Sequence, residues 1–113
     1  MHKHLLITMK VKRAPKNPTW VQQFLAGLVE KIDMKIMIDP VAERCEDEGN
    51  EGVTGFVVIT TSHASVHIWD TGLVQIDVFS CKHFWNQDVL DYIYGQFGDL
   101  TSIEVNSIDR TPS

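Results

Sequence analysis

Apolar and polar positions alternate with two different periods along this chain. Leu5 to Val11 alternates loosely and predicts a strand. Val21, Phe24, Leu25, Leu28 and Ile32 then recur at helical spacing, with Gln22, Gln23, Glu30 and Lys31 off the stripe, which predicts an amphipathic helix packed by one face. Asn17-Pro18-Thr19 opens that helix: Asn17 can cap it, and Pro18 falls where a missing N–H costs nothing. Met34 to Ile38 reads as a short strand stopped by Asp39-Pro40, and residues 40 to 53 as an acidic, glycine-containing loop. Gly55 to Thr60 is apolar on both faces and reads as a central strand. Val66 and Ile68, then Val74, Ile76 and Val78, alternate with more polar residues and predict two strands joined by a tight turn at Asp70-Thr71-Gly72. Trp85 and Asn86 open a second helix, with Val89, Leu90, Ile93 and Phe97 inward and Gly98 as its stop. Ser102 to Ile108 completes the pattern as a last strand, and the tail after Arg110 reads as loose.

The order β-α-β-β-β-β-α-β predicts an α+β fold: a two-layer α/β sandwich with a mainly antiparallel sheet and both helices on one face. Each half ends in an α-β unit, although no sequence repeat is visible. Two helices cover one sheet face only. The face carrying His67, Trp69, Asp77 and Phe79 needs other cover, and a second copy, its sheet facing the first in a homodimer, is the economical choice.

Composition narrows this further. At 113 residues the chain reads as a single domain, 1–113, and a 43% apolar content suits a packed core. The net charge of −5 gives no nucleic-acid footprint, and the basic group Lys10–Lys16 and acidic group Glu43–Glu51 read as solvated surface. Without a long apolar run or a signal-peptide pattern, the chain is expected to be cytoplasmic and free of membrane. Cys45 and Cys81 then read as free thiols.

The chemistry is concentrated in Thr61-Ser62-His63-Ala64-Ser65-Val66-His67-Ile68-Trp69 and in the run ending at Cys81. Ser62 lies where the backbone must turn between two strands. A serine hydroxyl there can attack the carbonyl of Thr61, converting the Thr61–Ser62 amide to an ester. Elimination then cuts the chain and leaves a pyruvoyl group at the new N-terminus. His67 is a candidate base, since imidazole titrates near neutrality. A pyruvoyl group forms a Schiff base with a substrate amine and accepts electrons as carbon dioxide leaves, without pyridoxal phosphate. Cys81 can return a proton to the resulting carbanion. Simpler roles stand beside these: Ser62 as a turn serine, His67 as a half-buried strand residue, Trp69 as packing, and Cys81 as a small core residue. His63, His67, His83 and Cys81 are zinc ligand types but lack paired short spacing, so no metal is expected. Ser65 and His67 lack the elbow of a hydrolase.

Gly52-Val53-Thr54-Gly55, Val57-Val58-Ile59, Ser62-His63, Val66-His67, Trp69 and Ile76-Asp77-Val78-Phe79-Ser80-Cys81 together resemble the prokaryotic S-adenosylmethionine decarboxylase proenzymes, as does the opening His2-Lys3-His4-Leu5. The resemblance implies a pyruvoyl-dependent, self-cleaving proenzyme of polyamine (spermidine) synthesis that acts as a homodimer. By position it implies cleavage between Thr61 and Ser62, Ser62 as the pyruvoyl precursor, His67 in processing and Cys81 as proton donor. Thr54 stands where the family usually has a serine that assists both steps. Trp69, with Asp70 after it, would line the substrate site. The chain departs from the family pattern at three places: Thr61 replaces a glutamate, Asp70-Thr71 replaces proline-glutamate, and residues 40–52 offer no aromatic. An altered pocket leaves two alternatives open: arginine or ornithine as substrate, or an unprocessed, non-catalytic homologue acting as a binding or regulatory subunit.

Overall fold

The computed structural model describes all 113 residues. Its elements run β1 (Lys3–Val11), α1 (Pro18–Lys31), β2 (Ile36–Cys45), β3 (Gly52–Ile59), β4 (Ser62–Trp69), β5 (Leu73–Ser80), α2 (Asn86–Gln96) and β6 (Leu100–Asp109). The strands form one antiparallel sheet in the order β2-β3-β4-β5-β1-β6. This is the expected α+β sandwich, with both helices on one face.

The alternation read from the sequence decides which side chains meet the helices. Leu5, Ile7 and Met9 of β1, Val53 and Val57 of β3, Val66 and Ile68 of β4, and Val74 and Ile76 of β5 are buried in one core with Phe24, Leu25 and Leu28 of α1 and Val89 and Ile93 of α2. Each of these four strands sends every second residue into this layer. Helix α1 begins as the sequence predicts: the Asn17 side chain accepts a hydrogen bond from the Thr19 N–H at 2.8 Å, and Pro18 opens the first turn. Trp20 stacks on Phe24, and Phe97 meets both edge-on, which ties α1 to the end of α2.

Two elements differ from the sequence reading. Strand β2 does not stop at Asp39-Pro40 but continues to Cys45, so the acidic loop shrinks to residues 46–51. The reason is position: β2 is the sheet edge, where a proline needs no outward partner, and its pairing with β3 shifts register between Ile36 and Ile38 and again between Ile38 and Val41. At the other end, Gly98 is not the conformational stop of α2. The helix ends at Gln96, and Asp99 takes the left-handed conformation at φ 57°. The tail is also tied down locally, because Arg110 N–H donates to the His2 carbonyl and the His2 N–H to the Thr111 hydroxyl.

The opposite sheet face carries no helix. Register lines up Thr54, His67, Gln75 and Thr8 in one row across β3, β4, β5 and β1, and Phe56, Ser65, Asp77 and Leu6 in the next. Val58, His63, Phe79 and His4 form a third. Gly55 to Ile59 is apolar on both faces because Phe56 and Val58 lie on this open side. Phe56 is 46% exposed, so the chain leaves a large aromatic in water there.

Candidate functional site

The residues singled out in the sequence fall into two groups. The first lies on the open face. Thr54 and His67 are direct cross-strand partners, and the Thr54 hydroxyl is 2.7 Å from His67 Nδ1. The His67 ring stacks on Trp69 with centroids 3.7 Å apart, and the Trp69 indole N–H donates to Asn50 Oδ1 at 2.9 Å. Burial lowers the His67 pKa from its ordinary value, so the ring is neutral near pH 7. Its Nε2 is buried without a hydrogen-bond partner. Beside this pair is an open concavity of about 430 Å³, lined among others by Thr54, Ser65, His67, Gln75, Asp77 and Asn106.

The second group sits at the β3–β4 hairpin. Ser62 begins β4 with φ 157°, a positive value that non-glycine residues seldom adopt. The Thr61 carbonyl accepts the backbone N–H of Cys81 at 3.1 Å. Side chains reinforce the junction. The fully buried Ser80 hydroxyl donates to Thr61 Oγ1 at 2.9 Å, and Thr61 Oγ1 donates to Met34 Sδ at 3.2 Å. Lys82 N–H in turn donates to Ser80 Oγ at 3.0 Å. Ser62 Oγ lies 3.2 Å from His63 Nδ1. The Cys81 side chain is a free, exposed thiol.

Within the chain these groups stay apart. Ser62 and His67 are five residues apart on one strand, about 16 Å at the usual rise, and an odd spacing places them on opposite faces. His63 is the imidazole next to Ser62. The ligand types weighed for zinc are not gathered either, since no three His, Cys, Asp or Glu side chains cluster closely enough to hold a metal ion.

Asp70 is not a free carboxylate. Its two oxygens accept from the Arg44 guanidinium at 2.9 and 2.6 Å, and Arg44 also pairs with Glu46. Arg44 holds the Asp70 carboxyl below the usual carboxylate range, and the two acids push the guanidinium pKa further up. Asp70 N–H also donates to the Glu51 carbonyl. Loop 46–51 is therefore fastened to the β4–β5 turn by Arg44, Asn50 and Glu51. Sequence reasoning missed Arg44, Asn50 and Ser80; each looked like an ordinary polar residue, and no local pattern announces contacts to residues 19 to 26 positions away.

The geometry describes an α+β sandwich with a hydroxyl–imidazole pair on its bare face and a polarised Thr–Ser peptide at a hairpin. The family model described as S-adenosylmethionine decarboxylase matches residues 4–111. The chain belongs to that family. It is 34% identical over 87 residues to the S-adenosylmethionine decarboxylase proenzyme of Acetivibrio thermocellus, covering 70% of each chain. It is 34% identical over 61 residues to the proenzyme of Archaeoglobus fulgidus, covering 53% of this chain and 54% of that one. A third proenzyme, from Syntrophomonas wolfei, is 39% identical over 59 residues, 49% of this chain and 47% of its own. The chain thus spans about half the length of these last two relatives. The fold is that of the crystal structure of adenosylmethionine decarboxylase from Aquifex aeolicus, at a TM-score of 0.75 and 20% identity, covering 100% of this chain and 97% of that one. No helix is long and apolar enough to cross a membrane.

Proposed function

We propose that this chain is a proenzyme that cleaves itself between Thr61 and Ser62 and then decarboxylates S-adenosylmethionine. The observation that carries the reading is the hydrogen bond from Cys81 N–H to the Thr61 carbonyl beside a positive-φ serine. That donor draws electron density from the carbonyl carbon and stabilises the oxyanion formed when Ser62 Oγ adds to it. The new C–O bond replaces the Thr61–Ser62 C–N bond, giving an ester and a free Ser62 amine. Removal of the Ser62 α-proton expels the Thr61 carboxylate. Water then displaces ammonia and leaves a ketone on residue 62. The junction suits this group: it is made from Ser62 itself, and the Ser80 hydroxyl donates to Thr61 Oγ1 beside it. When present, the pyruvoyl group supplies an electrophilic carbonyl that binds the substrate amine and takes up the electron pair as carbon dioxide leaves.

The base must come from elsewhere than the same strand. His67, neutral and backed by Thr54, lies on the bare face and is the residue best prepared to take a proton. We place the base in a homodimer with facing sheets, where the Thr54–His67 pair of one chain would meet the hairpin end of the other, and Phe56 and the concavity would be covered at once. Cys81, exposed and next to the polarised carbonyl, is the proton donor in turnover, and Trp69 presents a flat wall for an adenine or ribose.

One observation favours a second reading, a smaller amino acid such as arginine or ornithine as substrate. Arg44 occupies the Asp70 carboxylate, and loop 46–51 has no aromatic to stack on a base. Release of carbon dioxide from carboxyl-labelled S-adenosylmethionine, set beside labelled arginine and ornithine, tests the choice. Turnover of the first alone supports the proposal, and turnover of either amino acid alone transfers it to the second reading.

A further inference from the structure

Lys3 is the one lysine the fold buries, at 9% exposure, and the site above makes no use of it. It stands near the start of β1, in register with Ser80 of β5 and Asp109 of β6. No acidic side chain lies within ion-pair distance. Its ammonium instead donates to the Phe84 carbonyl and lies 4.0 Å from the centre of the Phe84 ring. Burial accordingly lowers the Lys3 pKa. A cation taken out of water with a carbonyl and a ring as its only company is an expensive way to fill space, and a methionine would fill the same volume without that cost.

What the ammonium touches indicates its use. Phe84 belongs to the short connection of residues 81–85 between β5 and α2. The near end of that connection carries the Cys81 N–H that holds the Thr61 carbonyl, followed by the Lys82 N–H on Ser80 Oγ. Lys82 Nζ ties the middle to the Asp33 carbonyl. Lys3 supplies the tie at Phe84, and Phe84 itself is buried at 2% exposure. We propose that Lys3 is a positioning residue: by anchoring the Phe84 carbonyl, it holds the 81–85 connection so that Cys81 N–H stays on the carbonyl of Thr61. Its effect on cleavage rests on the reading above; the positioning itself does not.

The test uses the full chain carrying Ser62→Ala, which cannot cleave, and reads amide exchange by NMR. Lys3→Met is expected to speed exchange of the Cys81 amide at least about tenfold, while the Ile7 and Val66 amides change by less than about twofold, because only the local tie is lost. Lys3→Arg keeps a cationic donor and is expected to restore protection to within about threefold of the parent. If Lys3→Met does not fold, Lys3→Gln takes its place with the same expectation at Cys81. An unchanged Cys81 amide, or a loss spread equally to Ile7 and Val66, overturns the proposal. With Ser62 restored, Lys3→Met is expected to slow cleavage about tenfold and Lys3→Arg to recover it. A Ser62 chain that never cleaves counts against the proenzyme reading, while the exchange measurement still decides the role of Lys3.

Discussion

The Thr54 hydroxyl and His67 Nδ1 lie 2.7 Å apart on neighbouring strands, on the sheet face that no helix covers. With Nε2 free to take a proton, the neutral ring carries its hydrogen on Nδ1, which donates to the Thr54 hydroxyl. Thr54→Val removes that partner without changing shape much, and about 0.5–1.5 kcal/mol of stability should go with it. Thr54→Ser should retain the bond. Urea midpoints of the three proteins check this; equal midpoints for the valine and serine variants contradict it.

Burial depresses the His67 pKa below its ordinary 6.5. Between the folded value and 6.5 the unfolded chain binds a proton that the folded chain does not. Stability from this residue is therefore complete above about pH 6.5 and falls as pH drops through that window. His67→Gln should flatten this part of the profile. Denaturation midpoints from about pH 5 to pH 7.5 read it, and parallel wild-type and variant profiles would argue that His67 is not the group responsible.

Ser80 is fully buried and joins three partners: Thr61 Oγ1, Met34 Sδ and the Lys82 N–H. Ser80→Ala leaves Lys82 N–H without its acceptor and Thr61 without its donor. The expected loss is about 1–3 kcal/mol, together with slower cleavage at Thr61–Ser62. Chemical denaturation checks the first effect and a cleavage time course the second. A variant of unchanged stability shows that this cluster is replaced by water.

The separation of Ser62 from His67 along β4 gives a test of the proposed two-subunit arrangement. Chains carrying His67→Ala and chains carrying Ser62→Ala are each expected to stay uncut. Mixed dimers pair an intact Ser62 with His67 of the partner subunit, so the His67→Ala chain should cleave in the mixture. Denaturing electrophoresis of co-expressed chains of different tag length reads the result. Failure of the mixture to cleave, with dimers present, removes the two-protomer arrangement.

Much of this was legible in the chain. The α1 stripe and its Asn17 cap, the strand alternation and the bare face carrying His67 and Trp69 all follow from period and local chemistry. Strand β2 was misread because Pro40 is a breaker only inside a sheet, and edge position is a tertiary fact. The end of α2 was misread because Asp99, rather than Gly98, takes the left-handed turn. At the site, Ser62, His67 and Cys81 could be named from the family resemblance, but only the start of β4 at Ser62 shows that residues 62 and 67 lie on opposite faces. Arg44–Asp70 and Ser80–Thr61 could not be read, since each joins residues whose meeting depends on sheet order. The clamp on Asp70 also changes the expectation for that residue: its carboxylate is engaged by Arg44 of the same chain.

The central claim is that the peptide bond before Ser62 breaks. The mass of the purified chain under denaturing conditions, followed over a long incubation beside Ser62→Ala, tests it most directly. Two fragments are expected, residues 1–61 and 62–113, the second beginning with a pyruvoyl group, and one intact chain for Ser62→Ala. A wild-type chain that stays whole would contradict the account and favour a non-catalytic binding or regulatory role.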